Sequence, residues 1–186
     1  MANENLPPAV IAQLLKELRG LARDAPDGIA VTMPDDNVST IHADIRGPEE
    51  TPYHRGVFKC KLILGSDYPA NPPKAVFVTK IFHPNVNGEG LICVNALKRD
   101  WQPTQGIRHT LSVIRCLLIC PNAESALNEE AGKLLLENYD GYASRAMLFT
   151  KIYAMPAESC TAALQPGGGT GASKAIRKQK RSIKRL

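Results

Sequence analysis

The chain has 186 residues, 44% of them hydrophobic and 22% charged, with a formal net charge of +5. That length and composition suit one globular domain with an appendage and exclude a wholly disordered chain. No run approaches the roughly 18 consecutive apolar residues of a membrane-spanning helix. Met1-Ala2-Asn3-Glu4-Asn5 also lacks the basic-then-apolar order of a secretory signal, so an intracellular protein, cytoplasmic or nuclear, is expected.

The charge sits at one end. From Met155 onward there are seven Lys and Arg against the single acid Glu158, leaving 16 basic and 17 acidic residues before it. Gln165-Pro166-Gly167-Gly168-Gly169-Thr170-Gly171 reads as a flexible linker. The basic run that follows, from Lys174 to Leu186, carries Ile176, Ile183 and Leu186 between its charges. The organisation expected is a core over 1–155 and a linker with a basic tail over 156–186. The tail reads either as a solvated or localisation segment or as a peptide that folds on an acidic partner groove. It holds no aromatic residue to stack on bases, which weighs against nucleic acid.

In chain order, Asn5 is placed to cap a first helix, with Pro7 and Pro8 in its opening turn. Val10, Leu14, Leu18 and Leu21 recur at helical spacing. Four strands are predicted over Ile29–Met33, Val38–Arg46, Val57–Leu64 and Ala75–Thr79. Phe58, Cys60, Leu62 and Leu64 alternate with Val57, Lys59, Lys61 and Ile63, as a strand with one buried face does. Short connections such as Gly47–Pro52 suit an antiparallel meander. Tyr68–Pro73 is expected to run extended, because proline disfavours helix in the residue before it. Ile81–Trp101 shows no sustained period and reads as a long irregular segment of the kind that carries function. Helices return over Arg108–Ile119, Ser125–Asn138 with Ser125 or Glu124 near its cap, and Tyr139–Tyr153. Strands followed by helices predict an α+β domain.

Within the irregular segment, His83-Pro84-Asn85 precedes Cys93, which follows a Gly-containing stretch and is expected to be reachable by a large substrate. Cys60, on a strand, and Cys116 and Cys120, in an apolar helical run, read as small buried hydrophobes; Cys160 falls in the linker. Cys116 and Cys120 without a His pair do not make a zinc site, so no metal is expected. No Gly-rich phosphate loop is present. His83 has the look of a packing residue in a structured turn, and His42 and His109 of structural ones. The residues alone do not separate a cysteine protease from another acyl-transfer enzyme.

His83-Pro84-Asn85, Cys93 eight residues after Asn85 and Trp101 eight after Cys93 resemble the signature of ubiquitin-conjugating enzymes. Tyr68-Pro69, Pro72-Pro73, Gly47-Pro48, Thr51-Pro52-Tyr53 and Pro121-Asn122 match in order and spacing, over about residues 5–153. Glu4–Pro8, Thr79–Val86, Leu97–Trp101, Gly106–His109 and Glu124–Gly132 resemble the chain-elongating branch, whose members carry a basic C-terminal extension and serve the anaphase-promoting ubiquitin ligase.

The resemblance implies the ubiquitin-conjugating fold: an N-terminal helix, a four-stranded antiparallel meander, a long active-site loop and C-terminal helices. It implies that Cys93 takes ubiquitin from an activating enzyme as a thioester and passes it to a lysine of an acceptor ubiquitin. ATP is then spent upstream and no cofactor is bound. Asn85 would stabilise the oxyanion or pin the loop, with His83 in support. Ser125 stands where relatives carry an acid, beside Glu124, so an acidic group of the acceptor ubiquitin is expected to complete the site. Asn95 and Glu129 would orient the acceptor, and Trp101 would pack. Lys16 and Arg19 on the first helix would face the activating enzyme or a ligase. The tail ending in Arg185-Leu186 would tether a multi-subunit RING-type ligase, because Ala70 replaces the large apolar ligase contact of relatives. The competing readings are an inactive binding module of the same fold and a nuclear nucleic-acid binder using the tail.

Overall fold

Helix α1 spans Pro8–Arg23 in the structure, a computed structural model that describes residues 6–32 and 38–156. Pro8 occupies the first helical position, where its missing N–H has no intrahelical partner to lose. The cap is Pro7, without a side-chain hydrogen bond; the expected cap Asn5 lies outside the described residues. Leu14, Leu18 and Leu21 form the buried stripe, each contributing roughly 1.5–3 kcal/mol by leaving water.

Strands β1 (Ile29–Thr32), β2 (Thr40–Arg46), β3 (Val57–Ile63) and β4 (Lys74–Phe77) make one antiparallel sheet in chain order. This is the predicted meander, with β2 starting two residues late because Val38 and Ser39 lie in a turn. Register places inward residues opposite one another: Ile41 with Leu62, Ala43 with Cys60, Ile45 with Phe58, and Cys60 with Phe77. Phe58, Cys60, Leu62 and Leu64 are all buried, as their alternation predicts. The chain divides into Met1–Met155 and Pro156–Leu186, and the core described here belongs to the first unit.

Two expectations for the connections fail. Ser66–Ala70 is a turn, with Tyr68–Pro69 cis, instead of an extended run. The segment after Phe82 is not wholly irregular. It is pinned by isolated bridges pairing Val76 with Leu91 and Val86 with Ile92, and it ends in a short helix α2, Val94–Lys98. Gly90 permits this: its φ is +87°, and a Cβ there would collide with the Phe77 carbonyl. The close approach lets Phe77 donate its amide to Gly90 O at 2.8 Å.

Helices α3 (Gly106–Ile119), α4 (Glu129–Glu137) and α5 (Tyr139–Tyr153) follow. The helix expected from Ser125 starts at Glu129 instead, after a 3₁₀ turn over Ala123–Ser125. Its cap is Asn128, whose Oδ1 accepts the Ala131 amide at 3.1 Å, followed by Glu129 and Glu130 in the first turn.

Candidate active site

Phe82-His83-Pro84-Asn85 is held from three sides. Tyr53, fully buried, donates its hydroxyl hydrogen to Phe82 O at 2.9 Å. That uses its only hydrogen, so Tyr142 on α5 donates to the Tyr53 oxygen across 2.6 Å. Burial pushes both phenols well up, Tyr142 to about 12, so the pair stays neutral.

His83 is buried, with Nε2 2.8 Å from Leu117 O. A carbonyl only accepts, so Nε2 carries the hydrogen and Nδ1 is left to accept the Asn85 amide at 3.0 Å. Burial lowers the His83 pKa from 6.5 to about 4, against the bond to the Leu117 carbonyl, which favours the charged form. His83 is therefore neutral near pH 7 with both nitrogens engaged. It is a post for the turn and not a base for Cys93, in keeping with the packing reading.

Asn85, also fully buried, clamps this turn to the segment after α3. Its Nδ2 donates to Asn122 O at 2.6 Å and to Ser125 O at 3.1 Å, and its Oδ1 accepts the Asn122 amide at 2.9 Å. Both amide hydrogens are thus committed to backbone carbonyls. Pro84 O takes the Leu127 and Asn128 amides at 2.8 and 3.0 Å, which fixes the approach to α4.

Cys93 immediately precedes α2, and its amide donates to Asn85 O at 2.9 Å. Contrary to the expected accessibility it is 5% exposed, because the bridges made by Leu91 and Ile92 just before it hold the loop against Val76 of the edge strand and against Val86. The next residues, Val94 and Asn95, are exposed. Asn95 and Ser125 line a common groove of about 1190 Å³, together with Asn122, Glu124, Cys116 and Cys120. Those two cysteines, expected to be buried, are exposed, since α3 buries Ile107, Leu111, Ile114 and Leu118 on its other side. Cys60 is buried as expected, its thiol pushed up to about 12 by desolvation and by Asp44.

The structure thus brings His83, Asn85, Cys93 and Ser125 into one hydrogen-bonded unit, with Asn95 on its rim. Glu129 stands apart, exposed at the start of α4. Lys16 and Arg19 are exposed on α1, where Lys16 shares a shallow cleft with Glu17 and Arg108. Arg185, Leu186 and Cys160 lie outside the described residues. Trp101 packs between Tyr68 and His109 and donates Nε1–H to Pro69 O at 3.0 Å, while Ala70 is exposed. Sequence reasoning missed the parts played by Leu117 O, the Asn122 backbone and Tyr142. None has a local signal, because each acts through a partner at least 34 residues distant in the chain. Among the described residues no group of three or more His, Cys, Asp or Glu could hold a metal ion, and no helix is long and apolar enough to cross a membrane.

A helix, an antiparallel meander and a cysteine loop clamped by a buried Asn, closed by C-terminal helices, define the class. A family model described as ubiquitin-conjugating enzyme matches residues 13–150, and the chain belongs to that family. It is 61% identical over 155 residues to ubiquitin-conjugating enzyme E2 22 of Arabidopsis thaliana, covering 83% of this chain and 62% of that protein. To ubiquitin-conjugating enzyme E2 S of Xenopus tropicalis it is 53% identical over 182 residues, covering 92% of this chain and 86% of that one. Among solved structures, a Plasmodium yoelii protein described as a ubiquitin conjugating enzyme matches with a TM-score of 0.72 at 36% identity, over 78% of this chain and 96% of that one.

Proposed function

We propose that the chain accepts the C-terminal glycine of ubiquitin as a thioester on Cys93 and transfers it to a lysine of an acceptor ubiquitin, elongating chains. The observation that carries this reading is the coupling of Cys93 to Asn85: the thiol-bearing residue donates its amide to the Asn85 carbonyl, while the Asn85 side chain clamps the opposite wall of the site. In the first step the Cys93 sulfur displaces the activating enzyme's thiol from the ubiquitin carbonyl. No ATP or other cofactor is needed at this site, because the acyl bond arrives already activated. In the second, the neutral amine of the acceptor lysine adds to the thioester carbonyl, and collapse of the oxyanion expels the Cys93 thiolate and leaves an isopeptide bond.

Asn85 can serve the oxyanion only by diverting one of its two donated bonds. The longer, 3.1 Å to Ser125 O, is the one to yield, and a donor of this kind is worth about 10²–10³ in rate. The acceptor lysine, with an ordinary pKa near 10.4, must lose a proton first. Ser125 supplies no base, so an acidic side chain of the acceptor ubiquitin completes the site and ties reaction to one lysine. Asn95, on the groove, and Glu129 orient that acceptor. Lys16 and Arg19 meet the activating enzyme or a ligase. The basic tail ending in Arg185-Leu186 tethers a multi-subunit RING-type ligase of the anaphase-promoting kind, raising effective concentration without altering the site. The setting is the cytoplasm or nucleus.

The test loads the enzyme once with ubiquitin, chases with acceptor ubiquitin, and maps the linkages formed. Ser125→Asp is expected to relax the choice of lysine. Unchanged linkage choice would refute the acceptor-supplied acid, and no transfer by wild type would refute chain elongation.

A further inference from the structure

Of the four described cysteines, the proposed nucleophile Cys93 and the strand residue Cys60 are 5% and 1% exposed, whereas Cys116 and Cys120 are exposed. Cysteine is among the most buried residue types, and an exposed free thiol is open to oxidants and to disulfide exchange. Here two stand one helical turn apart, at the end of α3, on the groove that also holds Asn95 and Ser125. Thiol–disulfide exchange requires an accessible attacking sulfur, and access ranks this pair ahead of Cys93.

The geometry points to Cys116 and Cys120 as a thiol-modification site, which takes a mixed disulfide from a small anionic disulfide such as oxidised glutathione and thereby slows transfer from Cys93 without touching that residue. The step balances. The thiolate of Cys116 or Cys120 attacks one sulfur of the glutathione disulfide, a protein–glutathione S–S bond forms, the original S–S bond breaks, and glutathione thiolate leaves. The groove offers Lys98 and Arg99 to the glutathione carboxylates, with Asp100 and Glu124 also on its walls. Both thiols are free and exposed in the structure, and the product proposed is the mixed disulfide.

The adduct has a short route to the site. Cys120 is two residues from Asn122, whose amide and carbonyl both bond the Asn85 side chain, at 2.9 and 2.6 Å. Asn85 in turn accepts the Cys93 amide on its own carbonyl at 2.9 Å. A bulky group in the groove both occupies the space beside Ser125 and pulls on this clamp. A misplacement on the scale of 1 Å suffices for about 10²-fold in rate.

The consequence for transfer rests on the function proposed above; the site of modification does not. The full-length protein in a Cys160→Ser background is treated with oxidised glutathione, and the modified cysteine is located by peptide mass mapping. The adduct is expected on Cys116 or Cys120 before Cys93 or Cys60. First modification of Cys93 would overturn the proposal. Amide hydrogen exchange at Asn122 and Cys93, which needs no ubiquitin, is expected to accelerate in the adduct; unchanged exchange would refute the coupling. Loaded with ubiquitin, the adduct is expected to discharge about 10²-fold more slowly, with recovery on reduction and no effect in Cys116→Ser/Cys120→Ser. Discharge at the unmodified rate would overturn the regulatory claim, whereas failure of the unmodified protein to load would count against the proposed function alone.

Discussion

His83 makes folding stability depend on pH in a direction the structure dictates. The folded protein holds its imidazole neutral, with a pKa lowered from 6.5 to about 4 by burial, while the unfolded chain leaves it free to protonate near 6.5. The contribution to stability is therefore complete above pH 6.5, declines as the pH falls, and is lost below about 4. The interval corresponds to roughly 3 kcal/mol. The perturbation is His83→Gln, which can still donate toward Leu117 O but cannot titrate. Urea unfolding at pH 7, 6, 5 and 4 gives the assay. Carboxylates titrate in both proteins, so the informative quantity is the difference: wild type should lose about 3 kcal/mol more than the variant over this range. The variant will start lower at pH 7, because the Asn85 amide loses its acceptor. Parallel curves would refute a neutral, buried His83, and a steeper fall in the variant would reverse its sign.

Two further outcomes follow from the same hydrogen-bond network. Asn85→Ala leaves the Asn122 amide and two carbonyls unpaired, and should cost about 2–4 kcal/mol by urea titration while slowing single-turnover transfer about 10²–10³-fold. Lost stability with unchanged transfer would show that Asn85 only pins the loop. Tyr53→Phe leaves Phe82 O without its donor and should cost about 1–3 kcal/mol, more than Tyr142→Phe, which spares that bond. The reverse order in thermal or urea unfolding would contradict the donor assignment.

Much of the fold was legible in the sequence because its signals are local. Alternation along Val57–Leu64 fixes the buried face of β3, and Leu14, Leu18 and Leu21 fix that of α1. The start of α4 was equally local, since Asn128 followed by two glutamates is a capping signal; the reading from Ser125 overlooked it. Helix α2 was hidden because five residues carry barely one period. The exposure of Cys116 and Cys120 was local as well, since Leu111, Ile114 and Leu118 at helical spacing fill the buried stripe of α3 and leave both cysteines off it; the reading as buried hydrophobes rested on their apolar neighbours alone. At the site, the family resemblance singled out His83, Asn85 and Cys93, and the residues themselves suggested a packing role for His83. Hidden from the sequence were the backbone partners on distant segments that hold His83 and commit both Asn85 side-chain hydrogens.

The central claim, that Cys93 carries ubiquitin, is tested most directly by incubating the protein with ubiquitin, activating enzyme and ATP and comparing gels with and without reductant. A reductant-sensitive adduct is predicted for wild type, replaced in Cys93→Ser by a reductant-resistant ester. A reductant-sensitive adduct that survives in Cys93→Ser would place the acyl group on another thiol, with the exposed Cys116 and Cys120 first in line, and would contradict the account.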